Sequence, residues 1–165
     1  MNVFIIAAIT ADGFIARSGT HGADWTGNED KKVFVRLTKE AGTIVMGSRT
    51  FATIGHALPG RRNIVYTSNP ELITADGVET TSENPSALIE RLEVEGIKSV
   101  AICGGAQIYD MFLRAGVVTE IYLTVISKLF GQGIPLFSSS IDQNLELMST
   151  DTLDKGAVLL HFKIV

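Results

Sequence analysis

The feature that most constrains this chain is a series of short, unbroken apolar runs at residues 2–9, 43–46, 63–67, 98–103 and 120–126. Each is rich in Val and Ile, and none alternates with polar residues, which is the pattern of a strand covered on both faces. Helical segments fall between the runs and supply that cover. The first is announced by Thr26-Gly27-Asn28-Glu29, a T-x-x-E capping box, carries Val33, Phe34, Leu37 and Ala41 at helical spacing and stops at Gly42. Two more are expected, over Pro85–Glu95 after Ser82 and before Gly96, and over Gln107–Ala115 before Gly116.

Alternation of strand and helix predicts an α/β protein whose sheet is largely parallel, with helices on both faces. Past Leu136 the pattern changes. Residues 144–150 and 157–165 flank Asp154-Lys155-Gly156 and read as a terminal antiparallel hairpin, so the expected sheet is mixed. At 165 residues the chain has the length of one domain, taken as residues 1–165, and no repeat, long linker or low-complexity tract interrupts it.

Composition narrows the function. With 45% hydrophobic and 19% charged residues the chain is that of a folded globular protein. The opening MNVFIIAAIT lacks a basic leader and is too short to cross a membrane, so it reads as a buried first strand and no membrane partner is expected. The single cysteine, Cys103, allows no internal disulfide, and His21, His56 and His161 are too scattered to bind a metal. A cytoplasmic location and no structural metal are expected. A net charge of -4 argues against nucleic acid as the main partner, which leaves a small molecule held by local cations. The one dense basic cluster is Arg49, His56, Arg61 and Arg62.

That cluster follows the junction Gly47-Ser48-Arg49-Thr50, where an apolar strand gives way to a helix. Backbone N–H groups in such a first turn lack internal partners and can face an anion, although the same residues also read as a plain cap with Ser48 at the N-cap. A second junction, Cys103-Gly104-Gly105-Ala106, stands at the end of another strand. Two such turns side by side at the carboxyl edge of one sheet, with paired glycines and a basic cluster nearby, point to a dinucleotide.

Glu29 and Asp30 both lie in the first turn of the first helix, where carboxylates favour the helix dipole. Asp30 also shares the apolar face with Val33 and Phe34. A carboxylate there would have a raised pKa and could hold a nitrogen heterocycle or relay a proton. Trp25 and Tyr109 read either as core packing or as groove residues. Thr124 reads either as a strand-former or as a partner for a buried carboxylate, and Cys103 as a structural thiol.

The stretch IVMGSRTFATIGHALPGRRNIVYTS, Ile44 to Ser68, resembles the signature of the dihydrofolate reductase family, and Ala7-Ala8, Asp12 to Ile15, Trp25, Gly104-Gly105, Tyr109 and Ile121 to Thr124 follow in the family's order. The resemblance implies a three-layer fold with a sheet of eight strands or so, and NADPH-dependent reduction of dihydrofolate. It implies cofactor contacts at Ala8, Ile15, Ala16, Gly47, Ser48, Arg49, Thr50 and Ser68, and across the groove at Cys103, Gly104, Gly105, Ala106, Gln107, Ile108 and Tyr109. Asp30, Thr124 and Trp25 would form the catalytic group, with Ala8, Phe34 and Ile54 walling the substrate and Arg61 pairing with a carboxylate tail.

The sequence departs from the family at Ser48, where many members carry a basic residue, at Ala106 in place of a third glycine, and in the loop from Arg17 to Asp24, which is longer than in short bacterial members. Aligning Asp30 with the family's acid also needs a one-residue insertion before Gly47, which keeps Glu29 as the alternative acid. Trp25-Thr26-Gly27 with Glu29, Arg36-Leu37, FLRAGVVTEIYLTV and LFGQGIPLF resemble instead the riboflavin-biosynthesis reductases, which share the fold and reduce a ribosylamino-pyrimidine. A nucleotide-binding module without turnover is a third reading, and both monomer and homodimer are compatible with the sequence.

Overall fold

A computed structural model describes residues 1–165. Its main sheet has eight strands: β1 (Asn2–Thr10), β3 (Thr43–Gly47), β4 (Arg62–Tyr66), β5 (Val78–Thr81), β6 (Ser99–Ile102), β7 (Glu120–Ile126), β9 (Leu145–Thr152) and β10 (Val158–Ile164). Their order is β5-β4-β3-β6-β1-β7-β10-β9, parallel from β5 to β7 and antiparallel at the last two pairings. The C-terminal hairpin expected from the sequence is β9 and β10. Two short strands, β2 (Phe14–Ala16) and β8 (Ile134–Pro135), form a separate antiparallel pair.

The unbroken apolar runs are explained by two cores, one on each face of the sheet. Along β1, Val3, Ile5 and Ala7 enter one core while Phe4 and Ile6 enter the other. Helices α3 (Pro85–Val94) and α4 (Ala106–Arg114) cover the first face through Leu88, Leu92, Ile108 and Phe112. Helices α1 (Asn28–Ala41) and α2 (Ser48–Ile54) cover the second through Val33, Leu37 and Phe51. Each such side chain taken fully out of water contributes about 1.5–3 kcal/mol. No helix is long and apolar enough to cross a membrane.

Three local expectations are corrected. The capping box does not form: Gly27 is the N-cap of α1, at a φ of 90° that threonine rarely adopts, and the Thr26 hydroxyl turns back to the Ala23 carbonyl at 3.2 Å. Gly47, not Ser48, is the N-cap of α2. Helix α3 is capped by Asn84, whose side chain accepts from the Ser86 amide at 2.9 Å, rather than by Ser82. Strands β2, β5 and β8 had no sequence signal: β2 and β8 are two or three residues long, and β5 (VETT) is a polar edge strand.

Candidate active site

Strands β3 and β6 are neighbours, yet the helices that follow them, α2 and α4, lie on opposite faces of the sheet. A crevice must open where adjacent strands send their chains apart. A groove of about 1420 Å³ occupies that position, bounded by the carboxyl ends of β1, β3, β4 and β6. The two glycine junctions meet across it, with the Gly47 amide donating to the Gly104 carbonyl at 2.8 Å. A Cβ at Gly47 would lie 3.0 Å from Ile108 Cγ1, and one at Gly104, whose φ is +106°, would lie 2.9 Å from the Tyr109 hydroxyl. The tight turn therefore leaves backbone, not side chain, facing the groove.

The structure brings most of the sequence candidates to this one surface. Ala8, Ile15, Ala16, Trp25, Asp30, Phe34 and Ile54 line the groove at the end nearer α1, and Gly47, Ser48, Arg49, Thr50, Ser68 and the turn from Cys103 through Tyr109 line the rest. Thr124 and Arg61 do not line it. Thr124 is buried in β7 in register with Ala8, so it lies beneath the floor. Glu29 is also absent from the groove and pairs with Lys32 at 2.6 Å.

The basic cluster is divided by its partners. Arg62 pairs with Glu79 at 2.8 Å and with Glu95, away from the groove. Arg61 donates from Nη1 to the Thr38 hydroxyl at 2.8 Å and from Nε to the Pro59 carbonyl at 3.1 Å, which ties it to the flank of α1. Arg49 and His56 alone of the four reach the groove, and Arg49 has no ion-pair partner.

Asp30 is the carboxylate with unusual chemistry. Burial pushes its pKa above the ordinary aspartate value, against the opposing pull of the Thr124 and Thr26 hydroxyls and the Lys31 charge. The Thr26 hydroxyl has one proton to share between Asp30 and the Ala23 carbonyl. An acid so placed can donate a proton to a ligand nitrogen and, once ionised, can hold a protonated heterocycle.

Other candidates have plainer environments. Tyr109 is buried at the groove wall, and its hydroxyl donates to the Ile6 carbonyl at 2.8 Å, which joins α4 to β1. Burial pushes the Cys103 thiol up to about 12, so it stays protonated at neutral pH and is not a nucleophile. Trp25 lines the groove with its indole Nε1 buried and without a hydrogen-bond partner.

Sequence reasoning missed several groove residues. Lys31 lines the groove beside Asp30 and has no ion-pair partner, whereas its neighbours Lys32 and Arg36 are paired with Glu29 and Glu40. Tyr66 ends β4, so the same strand-end rule that singled out Gly47 and Cys103 would have found it. Ser138 arrives by a long-range contact, its amide donating to the buried Asp110 carboxylate at 3.0 Å, and no local pattern announces it.

Comparison with known proteins identifies the fold and the family. A dihydrofolate reductase from Enterococcus faecalis, complexed with NADP(H), superposes with a TM-score of 0.75 at 25% identity over 99% of this chain and 96% of that one. A pyrimidine reductase-like protein from Corynebacterium diphtheriae superposes with a TM-score of 0.80 at 18% identity, over 99% and 92% of the two chains, a likeness of fold. The dihydrofolate reductase type 3 of Salmonella typhimurium is 32% identical over 164 residues, 98% of this chain and 96% of that protein. The family model described as dihydrofolate reductase matches residues 2–157, and the chain therefore belongs to the dihydrofolate reductase family of oxidoreductases.

Proposed function

We propose that this protein is an NADPH-dependent dihydrofolate reductase. The observation that carries the reading is Asp30: a carboxyl group with a raised pKa, set in the wall of a groove whose other half is built from two facing glycine turns. The glycine turns fit a dinucleotide. Side chains at Gly47 or Gly104 would crowd Ile108 or Tyr109, and the open backbone, with the unpaired Arg49 beside it, suits a pyrophosphate.

When bound, NADPH supplies the hydride. The chain's own residues do the rest. Gly47, Arg49, Thr50 and the Gly104–Gln107 turn hold the phosphates, while Ala8, Ile15 and Ala16, small or apolar, leave room for a flat ring near the floor. Asp30 binds the pterin nitrogens and delivers the proton that completes reduction of the C=N bond, directly or through a water that it orders. Thr124, beneath Ala8, steadies the ionised form of Asp30. Phe34 and Ile54 flank the substrate, and Arg61, which Thr38 holds outside the groove lining, would receive a carboxylate tail that projects beyond the groove.

Lys31 favours a second reading. A cation beside Asp30 without an acidic partner suits a substrate with a phosphate close to its heterocycle, as in the ribosylamino-pyrimidine of riboflavin biosynthesis. Calorimetric titration with NADPH and NADH, followed by turnover of dihydrofolate by the wild-type protein and Asp30→Asn, tests the first reading. Tight NADPH binding by both proteins with turnover only in the wild type supports it; equal turnover by Asp30→Asn removes it.

A further inference from the structure

Along α1, residues 31, 34, 35 and 38 stand at i, i+3, i+4 and i+7 and so share one edge of the helix. The edge begins at Lys31, which is exposed, lines the groove and has no ion-pair partner. It continues through Phe34, which also lines the groove, and ends at Thr38, whose buried hydroxyl accepts Arg61 Nη1 at 2.8 Å. Lys32 and Arg36, each one position further round the helix, turn to Glu29 and Glu40 instead. Two cations without acidic partners therefore stand at the two ends of one helix edge, with an aromatic ring between them.

The two are held differently. Arg61 belongs to a loop that the buried Asn63 side chain pins in place: its amide donates to the Arg61 carbonyl at 2.7 Å and to the Leu58 carbonyl at 2.9 Å, and its oxygen accepts the Leu58 amide at 2.8 Å. With Nη1 on Thr38 and Nε on the Pro59 carbonyl at 3.1 Å, the guanidinium is fixed and keeps Nη2 for a ligand. Nothing fixes the Lys31 ammonium, which swings on a four-carbon stem. Seven residues of helix separate Lys31 from Thr38 by about 10 Å. A single phosphate would have to draw both side chains to one point, which the Thr38 and Pro59 bonds deny Arg61. A tail with two carboxylates a few bonds apart meets both cations, the rigid arginine taking the inner one and the mobile lysine the outer.

We infer that Lys31 determines substrate specificity: with Arg61 it forms a two-point clamp along α1 that selects a substrate whose tail carries two carboxylates, and Lys31 binds the outer one. The inference deepens the proposed reductase reading and rests on it. Lys31 then has a use with a folate as well as with a phosphorylated pyrimidine.

The test compares dihydrofolate with its analogue in which the side-chain carboxyl of the glutamate is an amide. The wild-type KM should be about fourfold higher for the amide, the scale of one exposed ion pair, and the difference should shrink in high salt. Lys31→Met, which keeps most of the stem and removes the charge, should abolish that preference, and Lys31→Arg should restore it. Lys39→Met removes the same charge from α1 at a position outside the groove and should keep the wild-type preference. Because Asp30 serves both substrates, any change in its titration cancels in the ratio of the two KM values. Equal KM values for acid and amide in the wild type, or a preference that Lys31→Met leaves intact, would overturn the inference while the reductase reading stands. No turnover of either folate would overturn both.

Discussion

The Gly47 amide donates to the Gly104 carbonyl oxygen at 2.8 Å, so the turn that starts α2 and the turn that starts α4 are joined at the centre of the groove. The two glycines are not equivalent. Gly104 has a φ of +106°, and a Cβ there would meet the Tyr109 hydroxyl at 2.9 Å; Gly47 has an ordinary φ of -82° and would press only on the Ile108 side chain. Gly104→Ala should therefore cost about 1–3 kcal/mol of stability and greatly weaken NADPH binding, whereas Gly47→Ala should weaken binding with a smaller loss of stability. Urea unfolding and calorimetric titration of the two variants check the order.

Asp30 predicts a trade of stability for chemistry. Its pKa is raised by burial, so the folded state binds the proton more tightly than the unfolded chain does. The sign follows: between the unfolded pKa and the higher folded one, stability falls as pH rises, and above that window the ionised Asp30 is a net burden on the fold. Asp30→Asn should raise the melting temperature at neutral pH and have little effect in acid, where Asp30 is protonated in both states. The same substitution should abolish most turnover near neutral pH. A melting curve at each of several pH values, measured beside the rate, tests both halves.

Arg61 reaches its position through Thr38, whose hydroxyl accepts its Nη1 at 2.8 Å and donates to the Phe34 carbonyl at 2.6 Å. No carboxylate of the protein pairs with Arg61. Arg61→Ala should raise the KM for dihydrofolate by about tenfold, the scale of a charge-assisted pair, and leave kcat nearly unchanged. Thr38→Val, which loosens the arginine without removing it, should give a smaller rise. Steady-state kinetics on both variants decide, and an unaltered KM in Arg61→Ala would take Arg61 out of the site.

Arg62, the fourth residue of the basic cluster, joins Arg91 in a network that serves the fold. Arg91 bonds Glu79 at 3.1 Å, Glu83 at 2.7 Å and Glu95 at 3.0 Å, and Arg62 completes the network. The Arg91 hydrogen bond holds the Glu83 carboxyl below its ordinary range. The stabilisation is accordingly present above the usual glutamate pKa and is lost as pH falls through the lowered one. Because these side chains are about one-third exposed, solvent screens them, and Arg91→Ala should cost about 1 kcal/mol at neutral pH and low salt. The difference in melting temperature should shrink in acid or high salt, with the rate unchanged.

What the sequence disclosed followed from burial. Residues covered on both faces, such as Val3 to Ile6 and Ile64 to Val65, leave an unmistakable apolar run, and strand ends that open on a groove leave glycines, as at Gly47 and Gly104. Asp30 was visible because a carboxylate on the apolar face of a helix breaks a strong pattern. Direction was not visible. Arg61 and Arg62 are adjacent in sequence, but Thr38 draws one to α1 and Glu79 draws the other to the far edge of the sheet, contacts that span 23 and 17 residues. The capping box at Thr26 failed for a related reason: Gly27 turns the chain at positive φ, and the hydroxyl found the Ala23 carbonyl instead.

The central claim is that Asp30 protonates a pterin in this groove. The most direct test is NADPH oxidation by the purified protein with dihydrofolate, run beside the same assay with the ribosylamino-pyrimidine. Saturable turnover of dihydrofolate that Asp30→Asn abolishes is the predicted result. Turnover of the pyrimidine alone would contradict the claim and assign Lys31, not Arg61, to the substrate's charge.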